Sequence, residues 1–89
     1  MKESEIVAAI ESKVSSIPGS SYQEWYIGIT NDPKRRRKEH EDEGKVTRYW
    51  NVWDAETEET AGKVEAYFID KGMKGGTGGG DGSKYVYIF

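Results

Sequence analysis

Apolar residues recur every three or four positions in two segments of the chain, which predicts two amphipathic helices. The first helix covers residues 4–17, where isoleucine and valine residues share one face. The second begins after an N-cap at Asp54 or Thr57 and extends to Lys71, where Gly72 ends it. Each helix has an apolar face to bury, so we expect both to cover one small core.

A third helix is indicated by its ends rather than by an apolar stripe. Asp32 is a favoured N-cap residue, and Pro33 suits the first helical position. The helix is predicted to run to about Glu43, with Gly44 as its C-terminal stop.

Short runs rich in aromatic and β-branched residues predict three strands, over Trp25–Thr30, Thr47–Trp53 and Lys84–Phe89. Between the last helix and the last strand, seven of the eleven residues from 72 to 82 are glycine. This composition favours a flexible loop, and close passage of the backbone past a ligand is the alternative. The order of elements predicts an α+β fold, with a small three-stranded sheet flanked by three helices.

The composition fits a single domain over residues 1–89. A chain of 89 residues has room for one modest core, to which three Trp, six Tyr and two Phe bring large buried areas. It has no cysteine, which excludes disulfides and a thiolate metal site. Its apolar runs are far shorter than the roughly 18 residues that span a membrane, and no signal-peptide pattern opens the chain. We therefore expect a cytoplasmic protein without a membrane partner.

The most concentrated charge lies in the third predicted helix. Lys34, Arg35, Arg36, Arg37 and Lys38 are five consecutive cations in a chain whose net charge is −3. Cations in the first turn of a helix oppose its macrodipole, typically by about 0.3–1 kcal/mol each. A solvated helix with an unremarkable charge order is one interpretation. The other is a nucleic-acid-binding patch, where arginine side chains and exposed backbone amides converge on a phosphate.

An acidic residue interrupts the apolar stripe of the last predicted helix. Glu65 falls among Ala61, Val64, Phe68 and Ile69 when successive residues are turned by about 100°. A carboxylate in that position loses hydration, which is costly unless a metal ion or another cation meets it. Glu65 is therefore either at the edge of the stripe, reaching solvent or an ion-pair partner, or a metal ligand at the mouth of a cleft.

The segment YIGITNDPKRRRKEH resembles the second half of the GIY-YIG nuclease signature. Members of that family carry a tyrosine and a glycine in a strand, followed after a short turn by a helix that bears an arginine and ends near a histidine. By this resemblance Tyr26, Arg36 and His40 are candidate catalytic residues, and Glu65 is the candidate metal ligand. Arg36 and His40 are four residues apart, so both would lie on one face of their helix.

The resemblance covers roughly residues 25–72, which follow an N-terminal helical segment (1–18), and it departs from the family in chain order. Family members place a GIY strand before the YIG strand, whereas here the related sequence YVYI lies in the last strand, 84–89, beyond the glycine-rich loop 73–83. The resemblance thus implies a permuted GIY-YIG-like fold with Tyr87 as a further catalytic residue. We expect the last strand to be central and antiparallel to both others, because its aromatic and branched residues suit a buried position.

The function implied by the resemblance is that of a metal-dependent endonuclease that hydrolyses phosphodiester bonds of DNA, or less favourably of RNA. One Mg²⁺ or Mn²⁺ ion held by Glu65 would polarise the phosphate, and an arginine would offset its charge. The family's C-terminal asparagine has no counterpart here except Asp81. A second copy of the chain (a homodimer) or a protein partner would supply any sequence specificity. Two alternatives stay open: a catalytically inactive nucleic-acid-binding module of the same fold, and a protein-interaction module that uses exposed tryptophans.

Overall fold

The computed structural model of the protein describes residues 1–75 and 82–89. Within these ranges the chain forms three helices and three strands, which confirms the predicted α+β class. In chain order they are α1 (Glu3–Ser15), β1 (Ile27–Thr30), α2 (Pro33–Asp42), β2 (Asn51–Asp54), α3 (Glu58–Asp70) and β3 (Tyr85–Ile88), with a 3₁₀ turn at Tyr22–Glu24 before β1. None of these helices is long and apolar enough to cross a membrane.

The C-terminal strand lies at the centre of the sheet, as predicted. The strand order is β1-β3-β2, and β3 is antiparallel to both neighbours. Tyr87 is opposite Gly28 of β1 on one side and opposite Val52 of β2 on the other. The chain therefore crosses from the first edge strand to the second and returns to the centre only at its last element.

The two faces of the sheet bury different groups, because successive side chains of a strand point to opposite sides. Val86 and Ile88 belong to the apolar core, and both are fully buried. Tyr87, between them, points to the other face, where it meets α2. The core is built from α1, α3, the sheet and their connections: Ile6, Ile10, Val14, Trp25, Ile27, Ala55, Ala61, Val64, Phe68, Met73, Val86 and Ile88.

The starts of α2 and α3 follow the predicted local signals closely. The Asp32 side chain accepts a hydrogen bond from the backbone N–H of Arg35 at 3.2 Å, with Pro33 opening α2. Thr57, rather than Asp54, caps α3 by accepting from the N–H of Thr60 at 3.1 Å. Because each cap satisfies an amide that has no partner within its helix, both helix starts are set by a few neighbouring residues.

The predicted second strand was too long at its N-terminal end. Residues 47–50 form a turn, closed by a hydrogen bond from the N–H of Trp50 to the carbonyl of Thr47, and β2 begins only at Asn51. The Thr47 side chain is buried and is bonded to Arg37 and Glu41 of α2. Attachment of this segment to α2 therefore takes the place of strand pairing.

Two smaller expectations also needed correction. The first helix ends at Ser15 and not at residue 17. Ile69, assigned to the apolar stripe of α3, is 38% exposed, so the stripe consists of Ala61, Val64 and Phe68.

In the glycine-rich segment, Lys74 forms an isolated parallel bridge with Tyr26. Residues 76–81, which include Asp81, lie outside the described part of the chain.

Candidate active site

The hydroxyl group of Tyr87 is the centre of a buried polar network. Tyr87 is only 4% exposed. Its oxygen lies 3.3 Å from Arg36 Nε and 2.8 Å from His40 Nε2. Arg36 and His40 are one helical turn apart on α2 and share one face of it, as their spacing predicted, and the structure shows that both reach this atom. The structure thus brings three of the predicted site residues into direct contact.

A glycine makes this arrangement possible on β1. Gly28 faces Tyr87 across the sheet, and a Cβ at this position would lie 2.3 Å from the Tyr87 hydroxyl oxygen. The phenol ring therefore crosses directly above residue 28 to reach α2. Only Asn31 and Asp32 separate β1 from α2, and Asp32 caps the helix. This short connection places α2 over the face of the sheet to which Tyr87 points.

Tyr26 lies beside the network rather than in it. Its backbone pairs with that of Phe89, and its ring stacks on the Phe89 ring at 5.1 Å between centroids. The Tyr26 and His40 rings are 6.4 Å apart. Two ammonium groups approach the Tyr26 ring, that of Lys45 at 5.1 Å and that of Lys74 at 5.6 Å from its centroid. Tyr26 therefore borders the site in a strongly cationic environment.

Glu65 lies on α3, the helix that packs on the core face of the sheet. Its Oε2 atom is buried and has no hydrogen-bond partner among the residues that the structure describes. Burial raises the pKa of this carboxyl group above its ordinary value. Within the same residues it makes no hydrogen bond to Tyr26, Arg36, His40 or Tyr87, yet its charge is close enough to Tyr87 to raise the pKa of the phenol. The predicted conflict between a carboxylate and an apolar stripe is therefore present.

The protonation states of the network follow from burial and neighbouring charge. Burial lowers the pKa of His40, and the cations Arg36 and Lys45 lower it further, against weaker opposition from Glu43 and Glu39. His40 is thus neutral at physiological pH. Burial raises the pKa of Tyr87, and the hydrogen bond from Arg36 offsets only part of that effect. Tyr87 is therefore a neutral phenol there.

The basic run on α2 is largely paired with acids one turn later. Arg35 and Arg36 both approach Glu39, at 3.9 and 3.1 Å. Arg37 pairs with Glu41 at 3.5 Å and Lys38 with Asp42 at 3.4 Å, while Lys34 has no ion pair among the described residues. Exposed pairs of this kind are worth little, so these cations remain able to exchange their partners for phosphate groups.

A polar cleft of about 250 Å³ opens beside the start of α2. It is lined by Thr30, Asn31, Arg35, Arg36 and Glu39, together with Ile29 and Ser83. Arg36 therefore touches both this cleft and the Tyr87 hydroxyl. Neither Tyr26 nor Glu65 lines it, so the cleft by itself does not unite all of the predicted residues.

Three residues of the site were not anticipated from the sequence. Lys45 places its ammonium nitrogen 3.3 Å from His40 Nδ1 and 2.8 Å from Glu43 Oε1. The Trp50 ring stacks on Tyr87 at 4.6 Å, and Phe89 lies 4.8 Å from the His40 ring. Lys45 and Trp50 belong to the connection between α2 and β2. Lys45 precedes the strand that was predicted over 47–53, and Trp50 lies within that predicted strand but outside β2, so its inward position was not indicated. A composition rich in aromatic residues was the only available signal.

The donor set restricts the kind of metal that fits. Among the described residues no group of three or more histidine, aspartate or glutamate side chains is arranged to hold an ion. A single carboxylate oxygen, buried and unpaired, remains at Glu65. Mg²⁺ is commonly bound by one or two carboxylates and several waters, so a single carboxylate such as Glu65 meets its smallest protein requirement, whereas a zinc-type cage needs more ligands than the described residues bring together.

Comparison with known proteins adds no assignment: the chain matches no family model, no curated protein and no solved structure.

Proposed function

We propose that the protein is a metal-dependent nuclease of GIY-YIG type that hydrolyses phosphodiester bonds of DNA. The observation that carries this proposal is a buried tyrosine hydroxyl held by Arg36 and His40; beside it stands the buried carboxylate oxygen of Glu65, which has no hydrogen-bond partner among the described residues. An orphaned buried oxygen calls for an explanation, and a bound cation is one of the few that offset its cost. The sheet order, with Tyr87 on the central strand opposite Gly28, supports the permuted arrangement.

Each residue has a role that its position allows. Glu65, with water, would hold one Mg²⁺ or Mn²⁺ ion, which when bound supplies charge stabilisation at the phosphate. Arg36 is cationic and would offset charge on the non-bridging oxygens. Tyr87 remains a phenol at neutral pH, so it would orient a water molecule or phosphate oxygen rather than act as an independent base. Tyr26, at the cationic border, would orient the attacking water.

The basic residues of α2 would bind the nucleic-acid backbone. Lys34, Arg35 and Lys38 are exposed on the helix that also presents Arg36. Their charges would follow the phosphates on either side of the bond that is cut. Contacts of this kind carry no sequence information, so a partner protein or a second copy of the chain would provide any specificity.

The test is cleavage of supercoiled plasmid DNA with Mg²⁺ or Mn²⁺, compared with a chelator and with single-stranded DNA and RNA substrates. We expect metal-dependent nicking that Glu65→Gln and Arg36→Ala each reduce by about a hundredfold or more, the scale seen when a transition-state contact is removed. Glu59→Gln, on the exposed side of the same helix, is the matched control and should cut normally.

Two results would reject the proposal. One is the absence of cleavage of every substrate with either ion by a folded protein. The other is metal-dependent cleavage that Glu65→Gln leaves unchanged. Tight binding of DNA without cleavage would indicate the inactive nucleic-acid-binding module instead.

A further inference from the structure

Lys45 contacts the one nitrogen of His40 that does not face Tyr87. Its ammonium nitrogen lies 3.3 Å from His40 Nδ1, and Nε2 on the other side of the ring lies 2.8 Å from the Tyr87 oxygen. A lysine ammonium has three donors and no acceptor. At this contact Nδ1 must therefore accept, which leaves the proton of a neutral imidazole on Nε2.

The competing carboxylate does not reverse this assignment. Glu43 Oε1 is 3.6 Å from His40 Nδ1, beyond hydrogen-bond distance, and it is occupied by Lys45 at 2.8 Å. A proton on Nδ1 would point at the Lys45 ammonium. Doubly protonated His40 would meet the same conflict and would also face Arg36 from its own helix. The other titratable groups around the ring are Glu39, Tyr26 and Tyr87.

We propose that Lys45 is a positioning residue that fixes the Nε2–H tautomer of His40, so that His40 donates to the Tyr87 hydroxyl oxygen. Arg36 Nε also donates to that oxygen. With two donors directed at it, the oxygen has both lone pairs engaged. The hydrogen of the Tyr87 hydroxyl then points away from α2 and is left for an acceptor outside this trio.

This assignment reverses the proton order of a conventional tyrosine–histidine pair. In such a pair histidine accepts the phenol hydrogen and acts as its base. Here His40 would hold the phenol oxygen in place, and Tyr87 would offer its hydrogen to a phosphate oxygen or to water. That last consequence depends on the proposed nuclease function, whereas the tautomer and its dependence on Lys45 do not.

The experiment is an ¹⁵N NMR measurement of the imidazole nitrogens at neutral pH, without metal or nucleic acid. His40 is the only histidine of the chain, so its two ring nitrogens are assigned without ambiguity. We expect the unmodified protein to show a protonated Nε2 and an unprotonated Nδ1. In Lys45→Met the population should shift toward the Nδ1–H tautomer, because Glu43 is released to accept from it. Lys45→Arg restores a donor and should restore the original pattern.

The matched control is Lys74→Met. It removes the other ammonium group near the Tyr26 ring but has no contact with His40 among the described residues, so the His40 spectrum should not change. The near-ultraviolet circular dichroism of each variant shows whether it is folded. If Lys45→Met does not fold, Lys45→Arg provides the test. An Nδ1–H tautomer in the unmodified protein, or an unchanged tautomer in folded Lys45→Met, would overturn the inference. Loss of the tautomer pattern in Lys45→Arg would overturn it as well. Plasmid cleavage is a separate measurement, so failure of the nuclease proposal leaves this result standing.

Discussion

Gly28 and Tyr87 are opposite each other on adjacent antiparallel strands, and the phenol ring of Tyr87 lies across the backbone of Gly28. A methyl group at residue 28 would come within 2.3 Å of the hydroxyl oxygen and 2.5 Å of Cζ. The ring cannot swing aside freely, because Trp50 stacks on it at 4.6 Å and Arg36 and His40 hold its oxygen. Glycine is thus required here by close approach of a side chain.

Gly28→Ala is accordingly expected to lower the free energy of unfolding by about 1–3 kcal/mol, the usual cost of overpacking a filled site. It should also break the hydrogen bonds at the Tyr87 oxygen. Denaturant unfolding measures the first effect, and the His40 ring nitrogen shifts report the second. Gly62→Ala is the control: a methyl group at this position on α3 would meet nothing within 4 Å, so it should stabilise by about 0.5–1 kcal/mol. Equal stability of Gly28→Ala and the parent would show that the ring is not held.

His40 is expected to make the protein less stable in mild acid. Its pKa in the folded state is lowered by burial and then by the neighbouring cations Arg36 and Lys45. The unfolded chain therefore takes up a proton near the ordinary pKa of about 6.5, while the folded chain does so only at lower pH. The stabilisation is complete above about pH 6.5 and is lost as the pH falls through the folded pKa. Urea unfolding from pH 8 to pH 5 should show this decline, and His40→Gln should flatten it. A decline of equal slope in both proteins would contradict the prediction.

Glu65 is expected to have the opposite effect on stability from His40, favouring the folded state in acid rather than at neutral pH. Burial raises its folded pKa above the ordinary value of about 4.3, so the folded state binds a proton more tightly than the unfolded state does. The stability that this group contributes is present in acid and is lost as the pH rises from about 4.3 through the raised folded pKa. Glu65→Gln should therefore be at least as stable as the parent at pH 7, and this advantage should shrink toward pH 4.

Mg²⁺ provides the second half of the Glu65 test. An ion that binds only the folded state raises its stability according to the ratio of free ion to dissociation constant. Added Mg²⁺ should therefore raise the thermal midpoint of the parent and of Glu59→Gln, but not that of Glu65→Gln. If Glu65→Gln unfolds the domain, or if all three proteins respond equally to the ion, Glu65 has a structural role or the ion binds elsewhere.

The sequence predicted best those features that depend on neighbouring residues. Asp32 and Thr57, the latter one of the two caps considered for α3, each accept from an amide in the first turn of their helix. Pro33 lacks an N–H and suits the first helical position, so no distant contact was needed to place the start of α2. The central position of β3 followed from its apolar and aromatic content. The half-buried state of Glu65 followed from helical periodicity alone.

The connection between α2 and β2 could not be predicted in the same way. Thr47 is buried because Arg37 and Glu41, six or more residues earlier, bond to its side chain. Lys45 reaches His40 from a segment without periodicity, and its role depends on the position of Tyr87, more than forty residues later in the chain. Such contacts are fixed by the packing of α2 on the sheet, which pattern and composition do not encode.

The proposed nucleic-acid interface on α2 is tested by reversing its charges one at a time, because the structure gives Arg35 and Arg37 different surroundings. Arg35 is exposed, and its side chain makes a long ion pair to Glu39 at 3.9 Å and donates to Asn31 Oδ1 at 3.2 Å, so these contacts hold no residue outside α2 and the turn before it. Arg37 donates to the side chain and carbonyl of Thr47 at 3.2 and 3.3 Å, so it also holds the following turn. Arg35→Glu should therefore weaken DNA binding without changing the unfolding midpoint, whereas Arg37→Glu should weaken both.

The salt dependence of binding distinguishes a phosphate contact from a general loss of charge. Each phosphate neutralised on duplex DNA contributes about 0.9 to the slope of log affinity against log salt concentration. Arg35→Glu should reduce the magnitude of that slope by about 0.9, the contribution of one phosphate contact. Fluorescence anisotropy measures the slope, with a chelator present to prevent cleavage. Lys63→Glu makes the same change of charge on α3, where Lys63 pairs with Glu59, and it should leave the slope unaltered. Equal slopes for Arg35→Glu and the parent would show that α2 does not face the phosphates, and the basic run would then be a solvated helix surface whose charges are balanced by the acids one turn later.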